Sequence, residues 1–242
     1  MKSKPLKNWT PDERILAVKT IFNTITPQYD LLNRIMSGRR DVAWRKFAAR
    51  RLPPNVNKVL DLATGTGDLA IAIAEEFPKA KVTGGDFVEK MMRLAENKTQ
   101  VRGLGARIQF VAADATCLPF RDAEFEAVTI AFGLRNIPDR LGALREMKRV
   151  VGPGGKVITL EMTFPSNLRL RKFFRWYLNH MIPIVGGIIS GNREAYTYLP
   201  DSIQDFLTPD QLGDLFDRAG FKDIKKFPLT FGLTYLHEGI AQ

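Results

Sequence analysis

The stretch Lys58-Val59-Leu60-Asp61-Leu62-Ala63-Thr64-Gly65-Thr66-Gly67-Asp68 decides the fold. Lys58–Ala63 is a short aliphatic run of the kind that forms a buried parallel strand. Thr64–Gly67 gives a tight turn, and Leu69–Phe77 then places Leu69, Ile71, Ile73 and Ala74 at helical spacing. Strand, glycine turn and helix open a nucleotide-binding βαβ unit. The glycines let the backbone approach a ligand closely, and the helix N-terminus offers free N–H groups.

Gly65-x-Gly67-x-x-Ala70 also fits the dinucleotide fingerprint, with Asp86 about 20 residues further on. Asp61 separates the two readings. It stands inside the strand end, four residues before Gly65, where a carboxylate would repel a pyrophosphate. It suits a cofactor carrying an ammonium and a sulfonium, which is S-adenosylmethionine. Asp86 ends the next strand, Ala80–Gly85, and is expected to accept from both ribose hydroxyls. The competing reading makes Asp61 a solvated carboxylate and the glycines a mere turn.

The 242 residues suffice for one α/β domain with a full core and extra helices. A hydrophobic content of 45% and a charged content of 26% are ordinary for a globular chain. The net charge of +10 points to an anionic partner: nucleic acid, an anionic membrane or an acidic substrate. Cys117 stands alone, which excludes an internal disulfide and fits a reducing compartment. With His180 and His237 far apart, no metal site is expected. The polar start MKSKPLKNW lacks the apolar segment of a signal peptide. Met181–Ile189, the longest apolar run, is far short of the roughly 20 residues that span a bilayer.

Three helices are expected before the first strand, over Asp12–Ile25, Tyr29–Met36 and Asp41–Arg51, the last strongly basic. Further strands are expected at Lys81–Gly85, Ile108–Ala112, Ala127–Phe132 and Lys156–Leu160. Asp114, at another strand end, is placed to accept from an adenine amino group, with Leu118-Pro119-Phe120 as a wall beside it. Gly133-Leu134-Arg135-Asn136 follows the fourth strand, at the carboxyl edge where ligands bind in open sheets. Asp139 is the expected cap of the next helix. Leu168–Trp176 alternates cations with bulky apolar groups, as in a basic amphipathic helix that meets a membrane surface or packs on the core. A last helix, Gln211–Ala219, and a closing hairpin complete the chain.

Tyr29-Asp30-Leu31-Leu32-Asn33 with Ser37 and Trp44, Phe132-Gly133-Leu134-Arg135-Asn136, Arg149-Val150-Val151 with Gly154-Gly155 and Glu161, and Tyr198-Leu199 with Ser202-Ile203 occur in this order. On these motifs the sequence resembles the ubiquinone/menaquinone biosynthesis C-methyltransferases, within the class I S-adenosylmethionine-dependent methyltransferases. The resemblance covers roughly residues 12–240. It departs where Asp41 stands for a usual histidine, Gly152 for a lysine and Thr163 for a serine.

The resemblance implies a doubly wound, mostly parallel seven-stranded sheet of the class I methyltransferase type. An N-terminal helical cap (1–53), a cofactor core (56–163), a helical insertion (164–206) and a closing helix and hairpin (207–242) would form a single domain. Cofactor contacts carried over by position are Thr66, Asp86, Asp114 and Ala115, with Phe87 and Ala131, the last standing where some members have serine. The direct reading adds Asp61, Gly65 and Gly67.

The implied reaction is methylation of a ring carbon of a polyprenyl quinol. Arg135 is the candidate for stabilising the phenolate and Asp30, or Asp41, for taking the proton. Tyr29, Asn136 and Tyr196 are candidates for contacting the ring. Demethylmenaquinol is the favoured acceptor, with a benzoquinol of ubiquinone biosynthesis as the alternative. The basic segments at 39–51 and 168–176 would then attract anionic headgroups and account for the net charge, at the inner face of the cytoplasmic membrane. Three rivals are weighed. An RNA methyltransferase shares the charge but no RNA-binding module is visible. An NAD-dependent oxidoreductase is opposed by Asp61. A non-catalytic peripheral membrane protein would keep only the fold.

Overall fold

A seven-stranded sheet in the order β3-β2-β1-β4-β5-β7-β6 carries the chain. Its strands are β1 (Lys58–Leu62), β2 (Lys81–Asp86), β3 (Ile108–Ala112), β4 (Ala127–Ala131), β5 (Lys156–Met162), β6 (Phe221–Leu229) and β7 (Thr234–Ala241). The first five pair in parallel and β7 runs antiparallel to both β5 and β6. The strand order reverses between β1 and β4, which sets a crevice at their carboxyl ends. This computed structural model describes residues 8–190 and 195–242, the side chains of 189, 190 and 195–197 excepted.

The helices are α1 (Pro11–Ile25), α2 (Tyr29–Met36), α3 (Arg40–Arg50), α4 (Asp68–Glu76), α5 (Glu89–Val101), α6 (Arg140–Val151), α7 (Leu168–Trp176), α8 (Ile182–Ser190), α9 (Ala195–Gln204) and α10 (Pro209–Arg218). Local chemistry fixes several starts. Thr10 and Glu13 form a capping box on α1, as Thr208 and Gln211 do on α10. Asp139 caps α6 as the sequence predicts, accepting from the Gly142 N–H at 2.8 Å. Expected and observed boundaries differ by one or two residues, the usual fraying of element ends.

Each sheet face buries its own apolar cluster. Leu60, Leu62, Val128 and Ile130 pack with Leu144 and Met147 of α6 and with Phe216 of α10. Val59 and Val82 pack with Trp44 and Ala48 of α3 and with Ile71 and Ile73 of α4. A third cluster sits apart: Ile25, Leu32, Phe174, Leu178, Ile182 and Ile203 join α1, α2, α7, α8 and α9. The N-terminal cap and the insertion, distant in sequence, thus share one helical layer. Within α7 the alternating pattern splits. Phe174 turns inward, while Leu168, Leu170, Phe173 and Trp176 stay exposed.

Candidate active site

A cavity of about 270 Å³ lies at the carboxyl ends of β1, β2 and β4. Tyr29, Gly65, Asp86, Phe87, Asp114, Ala115, Ala131 and Asn136 all line it, so eight sequence-predicted positions converge here. Asp86 ties the glycine turn to its strand. Its Oδ2 accepts from the Gly65 N–H and its Oδ1 from the Val88 N–H, both at 2.8 Å. Burial pushes its pKa up. Each carboxylate oxygen offers about two acceptor sites, so room is left for ribose hydroxyls. Asp114 has no partner at Oδ2 among the described residues, while its Oδ1 takes both the N–H (2.8 Å) and the hydroxyl (2.7 Å) of Thr116. The Asn136 side-chain carbonyl accepts from the Tyr198 hydroxyl at 2.9 Å, which fixes its orientation.

The wall expected from Leu118 and Phe120 is made differently. Leu118 is buried in the core and Phe120 packs edge-on against Phe125, with ring centres 5.0 Å apart. Ile15, Val18 and Phe22 of α1 supply the wall instead. No sequence pattern marked that role, since an amphipathic helix does not announce what it covers.

A narrow cavity adjoins the first through Tyr29, Ala63, Gly65 and Ala131, and Asp61 and Thr66 also line it. Asp61 is 1% exposed and accepts hydroxyls from Thr64 at 2.7 Å and Thr129 at 2.8 Å. Burial pushes its pKa up to about 6, against the pull of those hydroxyls and of Arg45. No cation forms an ion pair with Asp61 among the described residues, so a ligand ammonium fits beside it. Thr66 turns its hydroxyl away, donating to Asp30 at 2.6 Å. Gly67 lines none of these cavities. Its φ of +79° starts α4, and a Cβ there would sit 3.1 Å from that of Ala95, so its demand is for packing space.

A second large cavity, about 290 Å³, opens between the sheet edge and the helical layer. Trp44, Phe132, Met162, Phe174, Leu178, Ile182 and Leu199 give it a mostly apolar wall. Tyr29 and Phe132 line both this cavity and the cofactor-sized one, so these two rings stand where the two spaces meet. Phe132 holds φ at +59°, an unusual conformation for a bulky residue, and Ala63 at the facing strand end holds +47°. Gly133 makes this approach possible: a Cβ on it would lie 2.4 Å from that of Ala63. Backbone strain of this kind clusters at functional sites.

Arg135 lines the second cavity, yet it is 5% exposed and ion-paired with Glu161 at 2.9 Å. Its Nη1 also donates to the Phe132 carbonyl, while Nη2 has no hydrogen-bond partner among the described residues. Asp30 departs from its expected role. Its carboxylate takes the Lys98 ammonium and the Thr66 hydroxyl, both at 2.6 Å, and it lines none of these cavities. The carboxylate that does line the second cavity is Asp41, held by Arg34, by Arg45 at 2.8 Å and by the Ser37 hydroxyl at 2.7 Å. Tyr29 is half-buried, and the desolvation of its hydroxyl pushes its pKa up. Tyr196 lies outside the described side chains. Among the described residues no group of side chains could hold a metal ion.

Comparison with known proteins agrees with this geometry. The description "ubiE/COQ5 methyltransferase family" matches residues 9–241. The demethylmenaquinone methyltransferase of Thermus thermophilus is 44% identical over 220 residues, 90% of this chain and 99% of that protein. The ubiquinone/menaquinone biosynthesis C-methyltransferase UbiE of Geotalea daltonii is 38% identical over 225 residues, 92% of this chain and 95% of that protein. A solved Thermotoga maritima structure, described as a SAM-dependent methyltransferase and possible histamine N-methyltransferase, superposes with a TM-score of 0.64. It shares 17% identity over 92% of this chain and 99% of its own, a likeness of fold. Sheet order and crevice are those of a class I methyltransferase, whose cofactor is S-adenosylmethionine. The chain belongs to the ubiE/COQ5 methyltransferase family.

Proposed function

We propose that the protein methylates a ring carbon of demethylmenaquinol at the inner face of a membrane. C-methylation of a quinone ring is the reaction of its family and of its named relatives. The naphthoquinol reading rests on one observation above the rest: a mostly apolar cavity that meets the cofactor cavity at Tyr29 and Phe132. A fused aromatic diol with a prenyl tail matches such a wall better than a benzoquinol bearing further polar substituents. The 44% identical relative carries the corresponding name.

Bound S-adenosylmethionine supplies a methyl group on a cationic sulfur. The chain must orient the acceptor ring against it and hold the charge that grows on the ring oxygen. Orientation comes from the aromatic walls, Tyr29, Trp44 and Phe132, and is a large contribution in two-substrate reactions. Arg135 offers its free Nη2 to the phenolate, a fixed cation in a nearly dry site. The proton passes to Asp41, directly or through water, because Asp41 is the carboxylate that faces this cavity. Asp30 lines none of these cavities.

The acceptor cavity reaches the surface beside an apolar face. Phe173 lines the cavity and is 63% exposed. Trp176 (50% exposed) lies next to it, and Ile184 and Ile188 of α8 continue the face. Leu31 and Ile35 of the adjoining α2 extend it further. Arg39, Arg40, Arg169, Lys172 and Arg175 form no ion pair with an acidic residue among the described residues. Each cation near an anionic surface adds about 1 kcal/mol. No described helix is long and apolar enough to cross a membrane, so contact would be with one leaflet. The prenyl tail would leave the cavity directly into that leaflet.

The test is methyl transfer to short-chain demethylmenaquinol and to the corresponding demethylated benzoquinol, with quinones of a deletion strain followed by mass spectrometry. Faster transfer to the naphthoquinol, with accumulation of demethylmenaquinone in the strain, is expected. Preference for the benzoquinol would overturn the assignment of the acceptor but not that of the cofactor.

A further inference from the structure

Arg45 stands between the two spaces. It lines both the acceptor cavity and the narrow cavity around Asp61, and is 7% exposed. Its Nη1 is occupied, donating to Asp41 Oδ2 at 2.8 Å and to the Asp41 carbonyl at 3.3 Å. Nε and Nη2 make no hydrogen bond to a described residue, and neither is among the sealed, unpartnered buried atoms. These two nitrogens form one edge of the guanidinium, the edge that grips a carboxylate side-on with two parallel bonds.

The surrounding charges show what is missing. Asp30, Asp41 and Asp68 are matched by Arg34, Arg45 and Lys98 in one connected set of ion pairs. Burial works against the Asp68 carboxylate, yet Arg45 and Lys98 outweigh it and hold its pKa at about 2. Asp61 lies outside the set, held by the hydroxyls of Thr64 and Thr129 and the Ala70 backbone N–H, with no cation in ion-pair contact among the described residues. The residues lining the narrow cavity therefore include one carboxylate lacking an ion-pair partner and one arginine two of whose guanidinium nitrogens lack an acceptor, among the described residues. The amino-acid end of S-adenosylmethionine carries an ammonium and a carboxylate on the same carbon.

We infer that Arg45 holds the carboxylate of S-adenosylmethionine through Nε and Nη2, while Asp61 faces the neighbouring ammonium. The assignment gives α3, a helix of the N-terminal cap, a direct part in cofactor binding. The same guanidinium lies 5.1 Å from the centre of the Phe132 ring, a wall of the acceptor cavity. It rests on S-adenosylmethionine as cofactor and not on which quinol is methylated.

Calorimetry with three compounds tests it: S-adenosylmethionine, its decarboxylated form, and 5′-methylthioadenosine, which lacks the amino-acid end. The native protein should bind S-adenosylmethionine at least about tenfold more tightly than the decarboxylated compound, the scale of a charge-assisted contact. In Arg45→Gln that gap should close to about threefold or less, with 5′-methylthioadenosine bound as in the native protein. Arg45→Lys should restore part of it, since a lysine offers a point charge and no fork. A gap absent from the native protein, or undiminished in Arg45→Gln, overturns the inference. Should Arg45→Gln lose 5′-methylthioadenosine as well, its fold is damaged and Arg45→Lys decides, where an unchanged gap is fatal. Native protein that binds none of the three would overturn the cofactor instead.

Discussion

Arg135 and Glu161 are joined twice: the guanidinium donates to Glu161 Oε2 at 2.9 Å, and the Arg135 backbone N–H to Oε1 at 3.1 Å. Their side chains are 6% and 1% exposed, so the pair is held out of water. One carboxylate thereby clamps the turn after β4 to the end of β5 and fixes the cation that lines the second cavity.

Removing Arg135 alone would strand a buried carboxylate, at a cost of about 3–5 kcal/mol. Arg135→Ala is expected to melt much earlier than the native protein, which would obscure any loss of rate. The informative protein is Arg135→Gln combined with Glu161→Gln, neutral at both positions and close in shape. It should keep most of its thermal stability and its affinity for S-adenosylhomocysteine. Single-turnover methylation should slow about a hundredfold or more, the scale of one lost electrostatic donor. A native rate in this double variant would make Arg135 a structural residue.

Asp86→Ala is expected to lower cofactor affinity at least about tenfold, as a charge-assisted hydrogen bond contributes roughly 1.5–3 kcal/mol. The loss includes the turn itself, because Gly65 and Val88 both donate to this carboxylate. Asp86→Asn keeps an acceptor oxygen and should fall between the two. Isothermal titration with S-adenosylhomocysteine measures both variants, and undiminished affinity would remove the ribose role.

Asp61 makes a prediction in pH. Burial lifts its folded pKa to about 6 from an ordinary value of 3.8, so the folded state keeps a proton that the unfolded state has lost. Across that window the folded protein binds more protons, and this group's contribution to stability falls as pH rises from about 4 to 6. Cofactor binding should act oppositely. A ligand ammonium favours the ionised carboxylate, so affinity should rise with pH through about 6 and then level off, with proton release on binding in the acid range. Titrations in buffers of different ionisation enthalpy read that proton. Asp61→Asn should bind weakly with a flat profile over the same range; a persisting slope would assign the proton elsewhere.

The exposed face of α7 and α8 predicts two separable effects on vesicle binding. Reversing Arg169 and Lys172 to Glu should weaken sedimentation with anionic vesicles at low salt, the difference shrinking as salt screens it. Replacing Phe173 and Trp176 with Ser should weaken binding at every salt concentration, since burial of apolar area is not screened. Native protein that binds neutral and anionic vesicles equally would deny the cations any part.

Much of the lining of the three cavities was legible because the residues sit at strand ends, where spacing in sequence maps onto spacing in space. Asp61, Asp86, Asp114 and Arg135 each follow or end an aliphatic run, and parallel pairing of β1, β2, β3 and β4 brings those ends to one edge. The packing of α7 was readable only as alternatives, and Phe174 alone of its aromatic residues turned inward. Contacts between distant segments left no local signal. Asp30 meets Lys98 from 68 residues away, and with that contact it lines none of the three cavities. Arg45 reads as one cation in a basic helix until α3 is laid against the sheet. The left-handed turn at Phe132 was hidden too, since an aromatic residue gives no warning of it, although Gly133 behind it was a partial sign.

The meeting of the two large cavities at Tyr29 and Phe132 bears on kinetics. The cavity at the strand ends is bordered by α1 and the other by α2, α7 and α8, so on the proposed assignment donor and acceptor would enter by separate doors. Spent S-adenosylhomocysteine would then exchange for fresh donor while a quinol stays seated, and the quinol would be replaced under a bound donor. Steady-state inhibition should show this as a random order of addition, with an unreactive quinol analogue competing against quinol and merely lowering the maximal rate when donor is varied, where an obligatory donor-first order would make it uncompetitive against the donor.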